Sequence, residues 1–201
     1  MSTPNYFAEF DYGAYYHIFN RSNNKERIFI ADEDYQHFLT LFNKYLGAYL
    51  DVYAYCLLPN HFHFMVSVKA ASDITLTNDN LYIDDIITEQ FRKFFINYSQ
   101  WFNKKHFRSG NLFHRRFKRL FVDSESHYTQ LICYIHLNPL KHKVQIDYEN
   151  YPWSSYKAIL SNAETKLKRN DILDFFGSKL GFENAHIWQE DLYTGSYIIE
   201  D

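Results

Sequence analysis

His61 and His63 stand on either side of Phe62, in a run that alternates as a strand does. A strand's period of two sets both imidazoles on one face and Phe62 and Phe64 on the other. Two imidazoles side by side can share one metal ion. In a chain with ten histidines, an H-x-H pair also arises by accident. A second group lies on a helical pattern, where His127, Gln130, Tyr134 and Asn138 fall within about a third of the circumference at about 100° per residue. Beside them runs an apolar stripe of Tyr128, Leu131, Ile132 and Ile135, and packing that stripe on a sheet would lay Tyr134 and Asn138 along the edge of the buried face. An oxygen ligand one turn from a phenol is what metal-assisted attack on phosphate requires, the ion polarising the phosphate while the phenol displaces a sugar oxygen. By spacing alone, Tyr134 is equally one of 18 tyrosines and Asn138 a residue capping a helix end before Pro139.

These groups can meet only if the elements that carry them pack together. β-rich segments bounded by turns occupy 14–19, 49–58 and 61–68, the last two joined by Pro59-Asn60 as a hairpin. Helical patterns cover 32–46, 86–105 and 124–137. Asp32 is placed to cap the first, Ser124 to open the third with Glu125 in its first turn, and Pro139 to end it. A further strand is expected over 111–122 after Ser109-Gly110, and 70–85 reads as a polar surface loop. The order strand, helix, hairpin, helix, strand, helix predicts an α+β fold. The expected form is a ferredoxin-like two-layer sandwich, with a mainly antiparallel sheet and helices on one face. At 201 residues the economical division is one catalytic domain over 1–160 and a C-terminal extension over 161–201. In that extension a linker leads to a short helix near 171–176, and the sequence assigns it no role.

The net charge of −3 announces no polyanionic partner, but its distribution is uneven. No acid lies between Glu89 and Asp123, where Arg92, Lys93, Lys104, Lys105, Arg108, Arg115, Arg116, Lys118 and Arg119 all fall. One side of the fold could therefore be positive although the sum is not. Aromatic residues make up 20% of the chain, with 18 Tyr and 19 Phe; they suit a sheet core and also supply rings on which unpaired bases can stack. Cys56 and Cys133 each sit in an apolar stretch and are expected to be reduced. Neither a basic-then-apolar leader nor a run of membrane-spanning length is evident, so a soluble cytoplasmic protein is expected.

The run Leu58-Pro59-Asn60-His61-Phe62-His63-Phe64-Met65-Val66 resembles the HUH motif of the single-tyrosine transposases of small insertion sequences, especially the REP-associated tyrosine transposase branch. Three further matches follow the family's order. Tyr16-His17-Ile18-Phe19-Asn20-Arg21 resembles its first strand, and Gly110 to Lys118 its basic strand, with His114 in place of a Gln. Tyr134-Ile135-His136-Leu137-Asn138-Pro139, followed by Lys141-His142, resembles its nucleophile helix, with Trp153-Ser154-Ser155-Tyr156 after it. The match spans roughly 14–157 and leaves out 70–85 and everything past about 160.

The resemblance implies that His61, His63 and Asn138 bind a divalent ion, magnesium or manganese, and that Tyr134 is the nucleophile of a single-stranded DNA endonuclease and strand transferase acting near hairpins. Attack would leave a 5′-phosphotyrosine and a free 3′-hydroxyl. Arg115, Arg116, Lys118 and Arg119 are the expected phosphate contacts, with Phe113 and Phe117 as stacking surfaces. A solvated basic edge that discourages aggregation is the other reading of that strand. The resemblance also admits a homodimer. Two rival functions stand beside it: a domesticated, non-catalytic binder of DNA or RNA hairpins, and a small metal hydrolase that uses His61 and His63 with no covalent step.

Overall fold

The computed structural model describes residues 5–75 and 82–194. Four strands, β1 (Tyr15–Arg21), β2 (Leu50–Leu58), β3 (His61–Val68) and β4 (Lys118–Val122), form one antiparallel sheet in the order β2-β3-β1-β4. The hairpin turns at Pro59-Asn60, with Leu58 paired to His61, as the sequence predicts. The α+β class and the antiparallel sheet therefore agree with expectation.

The helices, however, lie on both faces of the sheet. α1 (Asp32–Leu46) and α2 (Ile83–Lys105) pack on the side of Tyr16, Ile18, Phe62, Phe64 and Val66. α3 (Glu125–Lys141) packs with Ala54, Cys56, Leu58 and Met65 on the other. The reason lies in β2 and β3, which carry apolar side chains at successive positions and so are buried on both faces. Three further helices, α4 (Tyr156–Leu160), α5 (Arg169–Phe175) and α6 (Lys179–Thr194), extend the second layer, with Ile172 and Phe182 in the same apolar cluster as α3.

Several local expectations are corrected. Asp32 does not cap α1; Asp34 Oδ2 does, accepting from the N–H groups of Ile30 at 2.7 Å and Ala31 at 2.9 Å. Pro139 does not end α3, which runs on to Lys141. A proline so near the C-terminus forfeits one N–H, and the last turn still closes through His142 N–H to Asn138 O. The expected strand over 111–122 is a strand only from Lys118. Before that, the chain is pinned irregularly by Asn23 N–H to Leu112 O and His114 N–H to Arg21 O, with Leu112 and Phe113 both buried. α2 begins within the expected 70–85 loop, and 76–81 of that loop lie outside the described residues.

Both sheet edges are covered, which removes the pairing hazard of open strands. Residues 6–8 bond along β4, and the Trp153-Ser154-Ser155 segment, together with Leu167-Lys168, bonds along β2.

Candidate active site

His61 and His63 open β3 immediately after the turn, and their ring centroids are 5.3 Å apart. His61 Nδ1 lies 2.6 Å from Asn60 Oδ1; an amide oxygen only accepts, so Nδ1 carries the proton and the lone pair is on the buried Nε2. His63 is buried, and its Nδ1 lies 2.9 Å from His17 Nε2 on the neighbouring strand. Burial first, then the adjacent His17 and His61, hold the His63 imidazole well below its ordinary pKa, so it is neutral.

α3 crosses this face. Its apolar stripe of Tyr128, Leu131, Ile132 and Ile135 is buried against the sheet, as the helical spacing predicts. Tyr134 is half-buried and accessible, its ring standing at 90° to His63 with centroids 5.6 Å apart and lying 5.9 Å from His17. Lys141 Nζ sits 4.8 Å over the Tyr134 ring, and His142 reaches His61 at 4.5 Å between centroids. Asn138 lies one turn beyond Tyr134 and one turn before His142, so it occupies the middle of the stripe whose two ends touch the paired histidines. His127 and Gln130, on the same stripe toward the start of α3, lie nearer solvent; His127 contacts Asp123.

Among the described residues, no three His, Cys, Asp or Glu side chains converge to hold a metal ion. An ion on His61 and His63 would need a donor of another kind. Asn138 is fully buried, its Nδ2 donates to Tyr134 O at 2.8 Å, and its Oδ1 has no hydrogen-bond partner among the described residues. A buried acceptor left unsatisfied costs on the order of 1–3 kcal/mol. Two imidazoles and one amide oxygen are donor types that would suit a divalent cation retaining water and phosphate oxygens.

The basic segment divides between the two faces. Arg115, Arg116, Arg119, Phe113 and Phe117 line an open groove of about 870 Å3 between α2 and residues 110–119, on the face away from the histidines. Lys118 is not part of it, since β4 alternates; its Nζ lies 4.3 Å over Tyr6 and 5.4 Å over Phe19 on the histidine side. Phe113 packs in the core against Phe62 and Phe95, and Phe117 against Phe91. Arg119 is already engaged, with Asp84 at 3.0 Å and Thr88 Oγ1 at 2.8 Å.

Sequence reasoning assigned His17, Lys141 and His142 no role, although each sits in or beside a motif. His17 could have been found from the alternation of β1, because its face also carries Phe19, which pairs with His63.

No protein-family model matches the chain, and no curated protein matches it. Among solved structures, it is similar in fold to a REP-associated tyrosine transposase bound to a REP hairpin. The TM-score is 0.57 over 81% of this chain and 87% of that one, with 16% of residues identical. At that identity the likeness is one of fold: the chain shares the architecture of a tyrosine transposase.

Proposed function

We propose that this protein is a transposase-like endonuclease and strand transferase that acts on single-stranded DNA beside hairpins, with Tyr134 as nucleophile. The observation that carries the reading is the accessible Tyr134 ring standing over His63, with the orphaned Asn138 Oδ1 one turn along the same helix. In-line attack by Tyr134 Oη on a DNA phosphate forms the O–P bond of a 5′-phosphotyrosine and breaks the bond to the 3′ oxygen. The phenol's proton passes to solvent, and the departing 3′ oxygen takes one up. His61, His63 and Asn138 would hold magnesium or manganese, which when bound supplies polarisation of the scissile phosphate. Lys141, over the Tyr134 ring, adds positive charge where the incoming phosphate collects. Reverse attack by another 3′-hydroxyl joins strands, so the covalent link conserves the bond energy and no nucleotide cofactor is needed. A fold shared with a hairpin-bound transposase supports DNA as the substrate.

Incubating the protein and magnesium with labelled, hairpin-flanked single-stranded DNA tests this. We expect a denaturation-resistant adduct that Tyr134→Phe abolishes. Cleavage that survives Tyr134→Phe would instead support a hydrolase without a covalent step, and hairpin binding with neither adduct nor cleavage would support a non-catalytic binder.

A further inference from the structure

The groove between α2 and residues 110–119 is on the sheet face opposite Tyr134, and the chemistry proposed above does not use it. α2 buries Ile87, Phe91, Phe94, Tyr98 and Phe102 and turns a separate stripe of Arg92, Ser99, Gln100 and Asn103 toward the groove. A merely solvated helix face has no wall opposite it; this one does. The wall is fixed at both ends: Asn103 Nδ2 donates to Gly110 O at 3.0 Å, and Arg119 is tied to Asp84 and Thr88. Gly110 takes a φ of +88°, which lets the chain turn away from α2 there. Between those ties, 88 to 103, the groove runs about 22 Å at 1.5 Å per helical residue. It is therefore a preformed channel.

Its lining has three chemical parts. The floor carries the half-buried rings of Phe95 and Phe117. The walls carry hydroxyl and amide groups at Ser99, Gln100 and Asn111. The rim carries exposed Arg115 and Arg116, neither of which is ion-paired to a described carboxylate; Glu89, the acid of the lining, is already bound to Arg92 at 2.7 Å and to Lys93 at 3.9 Å. Recessed rings under a cationic rim suit bases that are not stacked in a duplex, with their phosphates at the rim. Residues 6–8, which cover the β4 edge between the two faces, continue the pattern, with Arg116 over Phe7 at 5.6 Å and Lys118 over Tyr6 at 4.3 Å.

We infer that this groove is a second binding site, which holds an unpaired stretch of the DNA substrate after it has passed around the β4 edge from the Tyr134 face. This rests on the proposed function for the identity of the strand, and it assigns the groove a task separate from cleavage.

The test uses the full chain carrying Tyr134→Phe, so that binding is read without cleavage, and two fluorescent DNA hairpins, one blunt and one with a single-stranded flank. Ser99→Trp fills the groove without changing charge. It is expected to weaken the flanked hairpin about tenfold, the worth of about one stacked base, and to leave the blunt hairpin unchanged. Arg115→Ala with Arg116→Ala should flatten the dependence of log affinity on log salt by about 0.7 for each phosphate no longer neutralised, on the flanked hairpin only. Gln100→Lys should tighten flanked-hairpin binding and steepen that slope by about 0.7. A folded Ser99→Trp variant that binds both hairpins as its parent does would overturn the inference. Should Ser99→Trp not fold, unchanged slopes in the other two variants would overturn it as well. Groove variants that weaken an RNA of the same sequence but not the DNA would overturn the assignment to DNA. Adduct formation with Tyr134 intact is measured separately, so an adduct with no groove effect sinks this inference alone.

Discussion

His17 Nε2 lies 2.9 Å from His63 Nδ1, across the β1–β3 ladder. When His63 Nδ1 donates in this bond, the His63 lone pair moves to Nε2, the nitrogen left to face an ion. Hydrogen bonds of this kind fix the tautomer and ring orientation of a ligand.

Replacing His17 with Phe should therefore weaken manganese binding by about 10- to 100-fold, with Gln restoring part of it. Isothermal titration of the metal reads this without any turnover. Unaltered manganese affinity in folded His17→Phe would reduce His17 to a packing residue.

Asn138→Leu separates function from stability. The change removes the orphaned Oδ1 along with the bond from Nδ2 to Tyr134 O, two effects on the order of 1 kcal/mol and opposite in sign. Thermal stability should stay close to that of the unmodified protein, while the metal-dependent adduct disappears. An Asn138→Leu protein that forms adduct at the normal rate would show that the amide oxygen is no ligand.

A second histidine pair sets a pH dependence of stability. His136 Nδ1 lies 2.9 Å from His186 Nε2, His136 Nε2 lies 2.8 Å from Ser155 Oγ, and His186 Nδ1 donates to Phe182 O at 2.7 Å. Burial, with the proximity of His186 added for His136, holds both below the ordinary value, His136 well below it and His186 at about 4. Both are neutral in the folded protein, so as pH falls below about 6.5 the unfolded chain takes up protons that the folded one refuses. Stability should be full above that pH and decline toward pH 4, by up to about 1.4 kcal/mol per pH unit for each histidine. Urea midpoints between pH 4.5 and 7.5 measure the slope, and His186→Leu should flatten it. Equal slopes in the two proteins would exclude this pair as the cause.

Phe182 ties the C-terminal helices to α3. Its side chain is fully buried among Tyr156, Phe176 and His186. Phe182→Ala should cost about 3–5 kcal/mol, the range for a large ring removed from a core. Calorimetry should show one transition at lower temperature; a detached α6 melting by itself, with the main transition unmoved, would contradict the shared core.

What the amino-acid order determined by itself is what short-range geometry carries. The period of two sets His61 and His63 on one face, and the helical period puts Tyr134 and the neighbouring apolar stripe where they are found, whereas Asn138, expected at the edge of the buried face, is fully buried. The Pro59-Asn60 turn, the Ser124 cap and the hairpin register are local too. Only the tertiary structure decided which surfaces meet. His17 reaches His63 because β1 pairs with β3, across 46 positions of sequence. Lys118 and Arg119, adjacent in the chain, act on opposite faces because β4 is a strand inside a sheet covered on both sides. His136 finds His186 only once α6 docks on α3, since burial and pairing between distant segments belong to the packed whole and leave no periodic trace in either segment alone.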